Sequence, residues 1–329
     1  MFGIQEDRGE YYQRMKTLSI KPNCIIAIIV SYFPQEKVLR RLISSVLLQV
    51  THVVIVDNGS PTGTQDCTAN MGGNDVHWIL LGHNFGVAKA QNAGIEWART
   101  QNATHVIMLD QDSVPATCMV VNLLSVYQKL IEQGKSVAAV GPRFLDSDSG
   151  ELSSFVRFGW MGLKQIECMK DNPYVEVDIL LSSGLLISLS TLDEVGGMDE
   201  SLFIDYVDTE WILRAKAKGY LSFGSCSAFM THTLGENRRR LWFMRWRSLP
   251  IHKPFRFYYI FRNSVLLMRR EHVNKAWRRC EFISLVRLAM MFGLFVAPRR
   301  EYIRMLKLGV MHGLRGKTGN IENSLYGKG

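Results

Sequence analysis

No apolar run in this 329-residue chain reaches the roughly 20 residues that a bilayer crossing needs. The most apolar late stretch, Phe282 to Ala297, contains Arg287 and is closed by Pro298-Arg299-Arg300. It predicts an amphipathic helix, packed on the body or lying in a membrane surface. Residues 1 to 21 lack the apolar core of a secretory signal, so a cytoplasmic location is expected. Cysteines are few and scattered, at positions 24, 67, 118, 168, 226 and 280, with no Cys-x-x-Cys pair. That spacing argues against a zinc module or a disulfide framework and predicts reduced, mostly packed thiols. There is no Gly-x-Gly-x-x-Gly and no Walker loop, so neither NAD nor a P-loop nucleotide is indicated. Helix-turn-helix, zinc and RNP patterns are missing as well, which argues against nucleic acid as a partner. Repeats and low-complexity segments are absent, and with nine prolines and 47% hydrophobic residues the chain has the composition of a globular core.

Acid is scarce in one region only. Residues 231 to 329 carry 21 Lys and Arg against 5 Asp and Glu, whereas the rest carries 18 against 25. A basic C-terminal part on an acidic body predicts an anionic partner. Aromatic rings are interleaved with that charge in Leu241-Trp242-Phe243-Met244-Arg245-Trp246-Arg247 and Phe255-Arg256-Phe257-Tyr258-Tyr259, a mixture suited to a bilayer interface.

What is present follows an α/β order. Cys24 to Val30 and Val53 to Val56 are continuous apolar runs that read as buried parallel strands, with a helical period over Lys37 to Gln49 between them. A short strand at Ile79 to Leu81, a helix over Val87 to Arg99 and a strand at Val106 to Leu109 continue the alternation, predicting a doubly wound sheet. A helix over Met119 to Glu132 and a strand at Val137 to Val140 come next, then antiparallel strands through Ile187. Helical periodicity returns at Thr191 to Val195 and Asp208 to Lys218.

Chemistry-bearing residues collect where these strands end. Asp110-Gln111-Asp112-Ser113 follows the third buried run, and on an extended segment Asp110 and Asp112 share a face. Two carboxylates so placed suit Mg2+ or Mn2+ holding a diphosphate; the same letters also make a helix cap. Asp57-Asn58-Gly59-Ser60 offers either a nucleoside contact or an Asx turn. Asn84-Phe85-Gly86 through Asn92-Ala93-Gly94 places small residues at a helix start, where backbone can approach a phosphate. Asp208 opens an amphipathic helix, as its cap or as a general base, and His232 ends a strand as a packed residue or a metal ligand.

In this order the motifs resemble the inverting family 2 glycosyltransferases of the GT-A fold, most closely their bacterial rhamnosyltransferase branch, over residues 24 to 265. Val30-Ser31-Tyr32, Ser183-Gly184, Gly196-Gly197-Met198-Asp199, Phe203-Ile204-Asp205-Tyr206-Val207-Asp208-Thr209-Glu210-Trp211 and Tyr258-Tyr259 with Arg262-Asn263 complete the match. The resemblance implies a Rossmann-like mixed sheet flanked by helices and a helical, basic C-terminal region. It implies an N-terminal extension over 1–22 and a catalytic domain over 23–240, divided into a nucleotide-binding half, 23–115, and an acceptor half, 116–240. The basic aromatic region is then 241–329. Nucleotide-sugar contacts would come from Ser31, Tyr32, Asp57, Asn84, Gly86, Asn92, Asp110 and Gln111, with Asp112 and His232 holding the metal and Asp208 as base. Val207 stands where many relatives have Glu, so Glu210 or Asp205 would be the helper carboxylate. Gly184, Glu210, Trp211, Arg262 and Asn263 would touch acceptor or diphosphate.

The implied reaction moves L-rhamnose from dTDP-L-rhamnose to a lipid-linked saccharide such as an O-antigen precursor. It would take place at the anionic inner face of the bacterial cytoplasmic membrane. A UDP-hexose or UDP-N-acetylhexosamine donor is the alternative within the family. A sugar-1-phosphate nucleotidyltransferase would need a Gly-rich, basic phosphate loop, which residues 24 to 36 lack. Oligomeric state is open.

Overall fold

The computed structural model describes residues 23–60, 71, 73–146, 150, 152–160, 162–169, 172–232, 238–243, 245–250 and 253–321. The expected N-terminal extension and Cys67 lie outside the described residues.

Strand β1 (Ile25–Ser31) has almost no polar residue because both its faces are covered. Ile26 and Ile28 enter one core with β2 (His52–Asp57), helix α2 (Val87–Thr100) and Trp211, while Ile25, Ala27 and Ile29 enter another with α1 (Glu36–Leu47) and α3 (Met119–Glu132). β3 (Val76–Leu80) pairs with β2, and β4 (His105–Asp110) with the other side of β1, all parallel. The remaining strands are β5 (Ser113–Pro115), β6 (Val137–Asp146), β7 (Phe155–Phe158), β8 (Leu163–Ile166), β9 (Tyr174–Val177), β10 (Leu185–Ser188) and β11 (Leu221–His232). The central sheet runs β3-β2-β1-β4-β10-β6-β11-β5, with β9 also on β11. Antiparallel β10 sits between β4 and β6, so the sheet is mixed as expected.

Chain order reverses beside β1, with β2 on one side and β4 on the other. The crevice at the C-terminal strand ends of such a switch point is where open α/β sheets bind ligands. Register places Ser31 opposite Asp57, and Val30 opposite Asp110, so these strand ends line up.

Helices α4 (Leu189–Val195) and α5 (Val207–Ala217) precede β11. After β11 comes a hairpin, β12 (Arg238–Phe243) and β13 (Arg245–Pro250), so the start of the region expected to be helical is β structure. Helices α6 (Pro254–Met268), α7 (Lys275–Leu294) and α8 (Arg299–Leu314) follow. Leu267 and Trp277 join the core beneath the sheet, and Phe257, Phe261, Leu285, Phe292, Val296 and Tyr302 form a core among the three helices. Among the described residues no helix is long and apolar enough to cross a membrane.

One expectation about the thiols is overturned. Cys168 and Cys226 are joined by a disulfide across 58 positions, while Cys24, Cys118 and Cys280 are free. Sequence spacing could not show that pair, because β9 brings the two together through its pairing with β11.

Candidate active site

Asp110 is the last residue of β4, and its backbone N–H donates to Ser183 Oγ at 3.1 Å. Ser183 Oγ in turn donates to Ser113 Oγ at 2.7 Å. Asp112 and Ser113 cap no helix: β5 begins at Ser113, and α3 starts only at Met119. The Asp-x-Asp motif therefore bends from one strand into another, keeping both carboxylates at the sheet's ligand-binding edge. Burial pushes the Asp110 carboxyl up to about 7, reinforced by the charges of Asp112 and Asp208 and opposed by Arg256.

Asp208 lies in the first turn of α5 and also lines this cleft. Its two oxygens accept backbone N–H bonds from Ser182 (Oδ2, 2.9 Å) and Thr209 (Oδ1, 2.7 Å), which fix the carboxylate plane. Burial raises its pKa despite those bonds, the direction that strengthens a general base. The cleft, about 580 Å³, also contains Gln91, Ser182, Asp205 and Arg256. Gln91 Nε2 donates to Ser182 Oγ at 2.7 Å, and its buried Oε1 has no hydrogen-bond partner among the described residues. Arg256 pairs with Asp205 at 2.5 Å. The opposite wall is apolar: Phe257, Ile260, Leu288, Met291 and Phe292 from α6 and α7.

Asp208 follows a strained loop. Phe203, Asp205 and Tyr206 all have φ between 63° and 67°, a region that costs a non-glycine residue roughly 1–3 kcal/mol. Arg262 and Asn263, both fully buried, hold this loop. Asn263 Nδ2 donates to the carbonyls of Leu202 (3.0 Å), Ile204 (2.8 Å) and Asp205 (2.9 Å). Arg262 donates to Leu202 O at 2.8 Å and to Gly319 O. Gly86 lies against the same loop with φ 91°, where a Cβ would meet Phe203 O at 2.4 Å; Val87 N donates to that oxygen at 2.7 Å. The loop's geometry thus depends on α6, far along the chain.

The structure brings some expected site residues to the cleft and places others elsewhere. Asp110 and Asp208 share the cleft, and Gly184, with φ 83° and its N–H on Met108 O, shapes the loop beside them. The backbone of His232 pairs with Ser113, next to Asp112. Asp57 ends β2, but its Oδ1 accepts from Ser60 N at 3.1 Å and Ser60 Oγ at 2.6 Å, an Asx-type turn. Asn84 Oδ1 accepts from Asn58 and from Gly86 N, so it organises the turn into α2. Gln111 bridges strand ends through Tyr32: its Oε1 accepts from Tyr32 N (2.7 Å) and its Nε2 donates to Tyr32 O (3.1 Å), leaving the Tyr32 ring exposed.

Six of the expected residues do not line the cleft. Ser31 is fully buried beneath the strand ends. Asn92 bonds Met198 N and O at 2.8 and 2.9 Å, tying α2 to the Gly196–Asp199 turn instead of facing the cleft. Glu210 is buried among Arg214 (2.9 Å), Arg270 (3.0 Å) and His272 (3.3 Å), whereas Asp205, the alternative helper carboxylate, lines the cleft with Asp110 and Asp208. Trp211 is buried and donates to Gly196 O. Arg262 and Asn263 hold the loop described above and touch no cleft space. Conversely, Gln91, Ser182 and Arg256 line the cleft without a local sequence signal: Gln91 and Arg256 stand inside motifs named above and Ser182 just before one.

A crevice at the switch point of a mixed α/β sheet, lined by the carboxylates of Asp110, Asp205 and Asp208, is a setting for group transfer. The chain belongs to glycosyl transferase family 2: that family's model matches residues 27–173, and the full-length likeness below extends the match. It is 34% identical over 300 residues to dTDP-rhamnosyl transferase RfbF of Shigella flexneri, covering 90% of this chain and 97% of that protein. A second relative is the low-salt glycan biosynthesis hexosyltransferase Agl10 of Haloferax volcanii, 23% identical over 308 residues, with 90% and 93% covered. Among solved structures, GalNAc-T7 with UDP, GalNAc and Mn2+ superposes with a TM-score of 0.58 at 13% identity, over 93% of this chain and 58% of that one. S. aureus TarS 1-349 in complex with UDP-GlcNAc gives 0.56 at 15% identity, over 88% and 81%. The fold is GT-A, and the protein is a nucleotide-sugar glycosyltransferase.

Replacing Asn263 with Leu should uncover the loop directly. The carbonyls of Ile204 and Asp205 would lose the Asn263 donor, at roughly 1–3 kcal/mol for each group left unsatisfied, while Leu202 O would keep Arg262. The expected outcome is a lower melting temperature and a kcat reduced about tenfold to a hundredfold, with donor KM within about threefold. An unchanged kcat would show that the loop keeps its shape without the clamp.

Proposed function

We propose that this enzyme transfers L-rhamnose from dTDP-L-rhamnose to a hydroxyl of a lipid-linked saccharide, such as an O-antigen precursor, in a single displacement with inversion. The observation that carries the donor is the likeness to a dTDP-rhamnosyl transferase along nearly the whole of both chains. Asp208 takes the proton from the acceptor hydroxyl as its oxygen bonds to the anomeric carbon; the bond from that carbon to the diphosphate breaks, and dTDP leaves with the electron pair. Asp205 and Arg256 form the cleft wall beside the base, and Gln91 faces the same space with an uncommitted carbonyl. On the nucleoside side stand Asp57 and Asp110, with the Tyr32 ring at the rim.

Asp112 and His232 are the residues that would hold Mg2+ or Mn2+, beside Asp110. The donor set fits: burial, reinforced by the charges of Asp112 and Asp208, pushes the Asp110 carboxyl up to about 7, and a divalent cation would neutralise that negative charge. Among the described residues no three His, Cys, Asp or Glu side chains converge as a ready-made cage. Such an ion supplies charge neutralisation to the departing diphosphate. A lipid carrier on the acceptor and the basic C-terminal part support a reaction at the anionic inner face of the cytoplasmic membrane.

The hexosyltransferase relative favours a second reading, a UDP-hexose donor on the same machinery. A panel of dTDP-L-rhamnose, UDP-glucose and UDP-N-acetylglucosamine with Mn2+ separates them by thermal shift and by transfer to a soluble saccharide. The expected result is stabilisation and turnover with dTDP-L-rhamnose. Preference for a UDP sugar would replace the first reading by the second.

A further inference from the structure

Helix α7 presents two apolar faces. Leu288, Met291 and Phe292 line the cleft, whereas Phe282, Val286, Met290 and Leu294 recur at fourfold spacing on the other side and are 41% to 62% exposed. Phe295 extends that ridge and is as open as Leu294. From Phe282 to Leu294 the ridge is about 18 Å long. A soluble helix ordinarily turns such a stripe to the core; here the core face is a different one.

The ridge has a cationic frame. One and two turns before it, on the same face, stand Arg279 and Lys275, and Arg287 flanks Val286. The Arg279 guanidinium lies 4.6 Å from the ring centre of Trp160, which is 78% exposed in the turn between β7 and β8. Arg299, Arg300, Arg304, Lys307 and Arg315 are exposed on and just beyond α8. Residues 275–315 contain nine Lys and Arg against two Asp and Glu. One of those two, Glu281, is turned inward, accepting from Tyr206 Oη (2.6 Å) and Ser264 Oγ (2.7 Å).

We propose that the outward face of α7, with Trp160 and Arg279, is a docking surface for a bilayer rich in anionic lipid. Apolar side chains enter the headgroup boundary, the arginines meet lipid phosphates, and the tryptophan sits at the interface. Because the opposite face of the same helix lines the cleft, docking brings the reaction space to the membrane surface. Glu281 then links the docked helix to Tyr206, two residues before the base. This deepens the reading of a lipid-linked acceptor and rests on it.

The test uses full-length protein and sedimentation with vesicles of phosphatidylcholine alone or with about one third phosphatidylglycerol. Wild type should bind the anionic vesicles and be released at high salt. Phe282→Ser/Met290→Ser/Leu294→Ser, and separately Arg279→Glu/Arg287→Glu, should each weaken binding about tenfold or more. Turnover of dTDP-L-rhamnose onto a water-soluble saccharide should stay within about twofold for both variants, since none of these residues lines the cleft. Vesicle binding unaltered in both variants, or absent in wild type, overturns the proposal. A wild-type dimer that the serine variant dissociates, without change in vesicle binding, assigns the ridge to a second copy instead. Failed docking with intact transfer leaves the function standing; intact docking with no transfer from any donor removes the function and leaves the surface.

Discussion

Asp208→Asn is expected to lower turnover on the order of 100-fold to 10,000-fold, with donor affinity little changed. The charge is what is lost, since the substitution preserves shape. Both carboxylate oxygens accept backbone N–H bonds, so the new amide nitrogen must turn toward either Ser182 N or Thr209 N, donor against donor. Some loss of thermal stability should therefore accompany the loss of rate. The two are separable: nucleotide-sugar affinity by calorimetry reports the intact cleft, and single-turnover kinetics report the chemistry. Near-full turnover in this variant would transfer the role of base to another group, for which Asp205 is the only other cleft carboxylate on the acceptor side among the described residues.

Exhaustive chelation should abolish transfer, by at least about a hundredfold, and Mn2+ or Mg2+ should restore it. Asp112→Ala should reproduce the loss, and added Mn2+ should not restore that variant. The warrant is electrostatic. The charges of Asp112 and Asp208 both act on Asp110 at this half-buried edge, and Arg256, the positive charge acting on Asp110, is itself paired with Asp205. Adding a diphosphate there would be strongly unfavourable without a cation. A readout independent of activity is Mn2+ binding in the presence of dTDP, which should be strong in wild type and weak in Asp112→Ala. Full activity after chelation would remove Asp112 and His232 from metal binding.

The parts legible in the chain were those governed by local period and strand ends. Continuous apolar runs marked β1, β2 and β4 because both faces of that sheet are covered, and acid at a strand's end marked the crevice. Helix α5 could be read with Asp208 in its first turn. Its other candidates could not. Glu210, two positions after Asp208, is turned about 200° away from it into the core, and Trp211, almost a full turn further along the helix, is buried against Gly196 O. Arg262-Asn263 looked like anion-binding chemistry, yet guanidinium and amide donors serve a strained loop's carbonyls equally well.

By itself, then, the sequence determined the mixed α/β class, the carboxylates that end its strands and the basic character of its last third. Only the tertiary structure decided which polar side chains face the cleft, that Cys168 meets Cys226, and that α6 and α7 close the site from beyond residue 240. The reason is physical. Period and turn chemistry act over a few residues, whereas the direction of a polar side chain is set by whichever distant donor or acceptor folding brings within hydrogen-bonding reach.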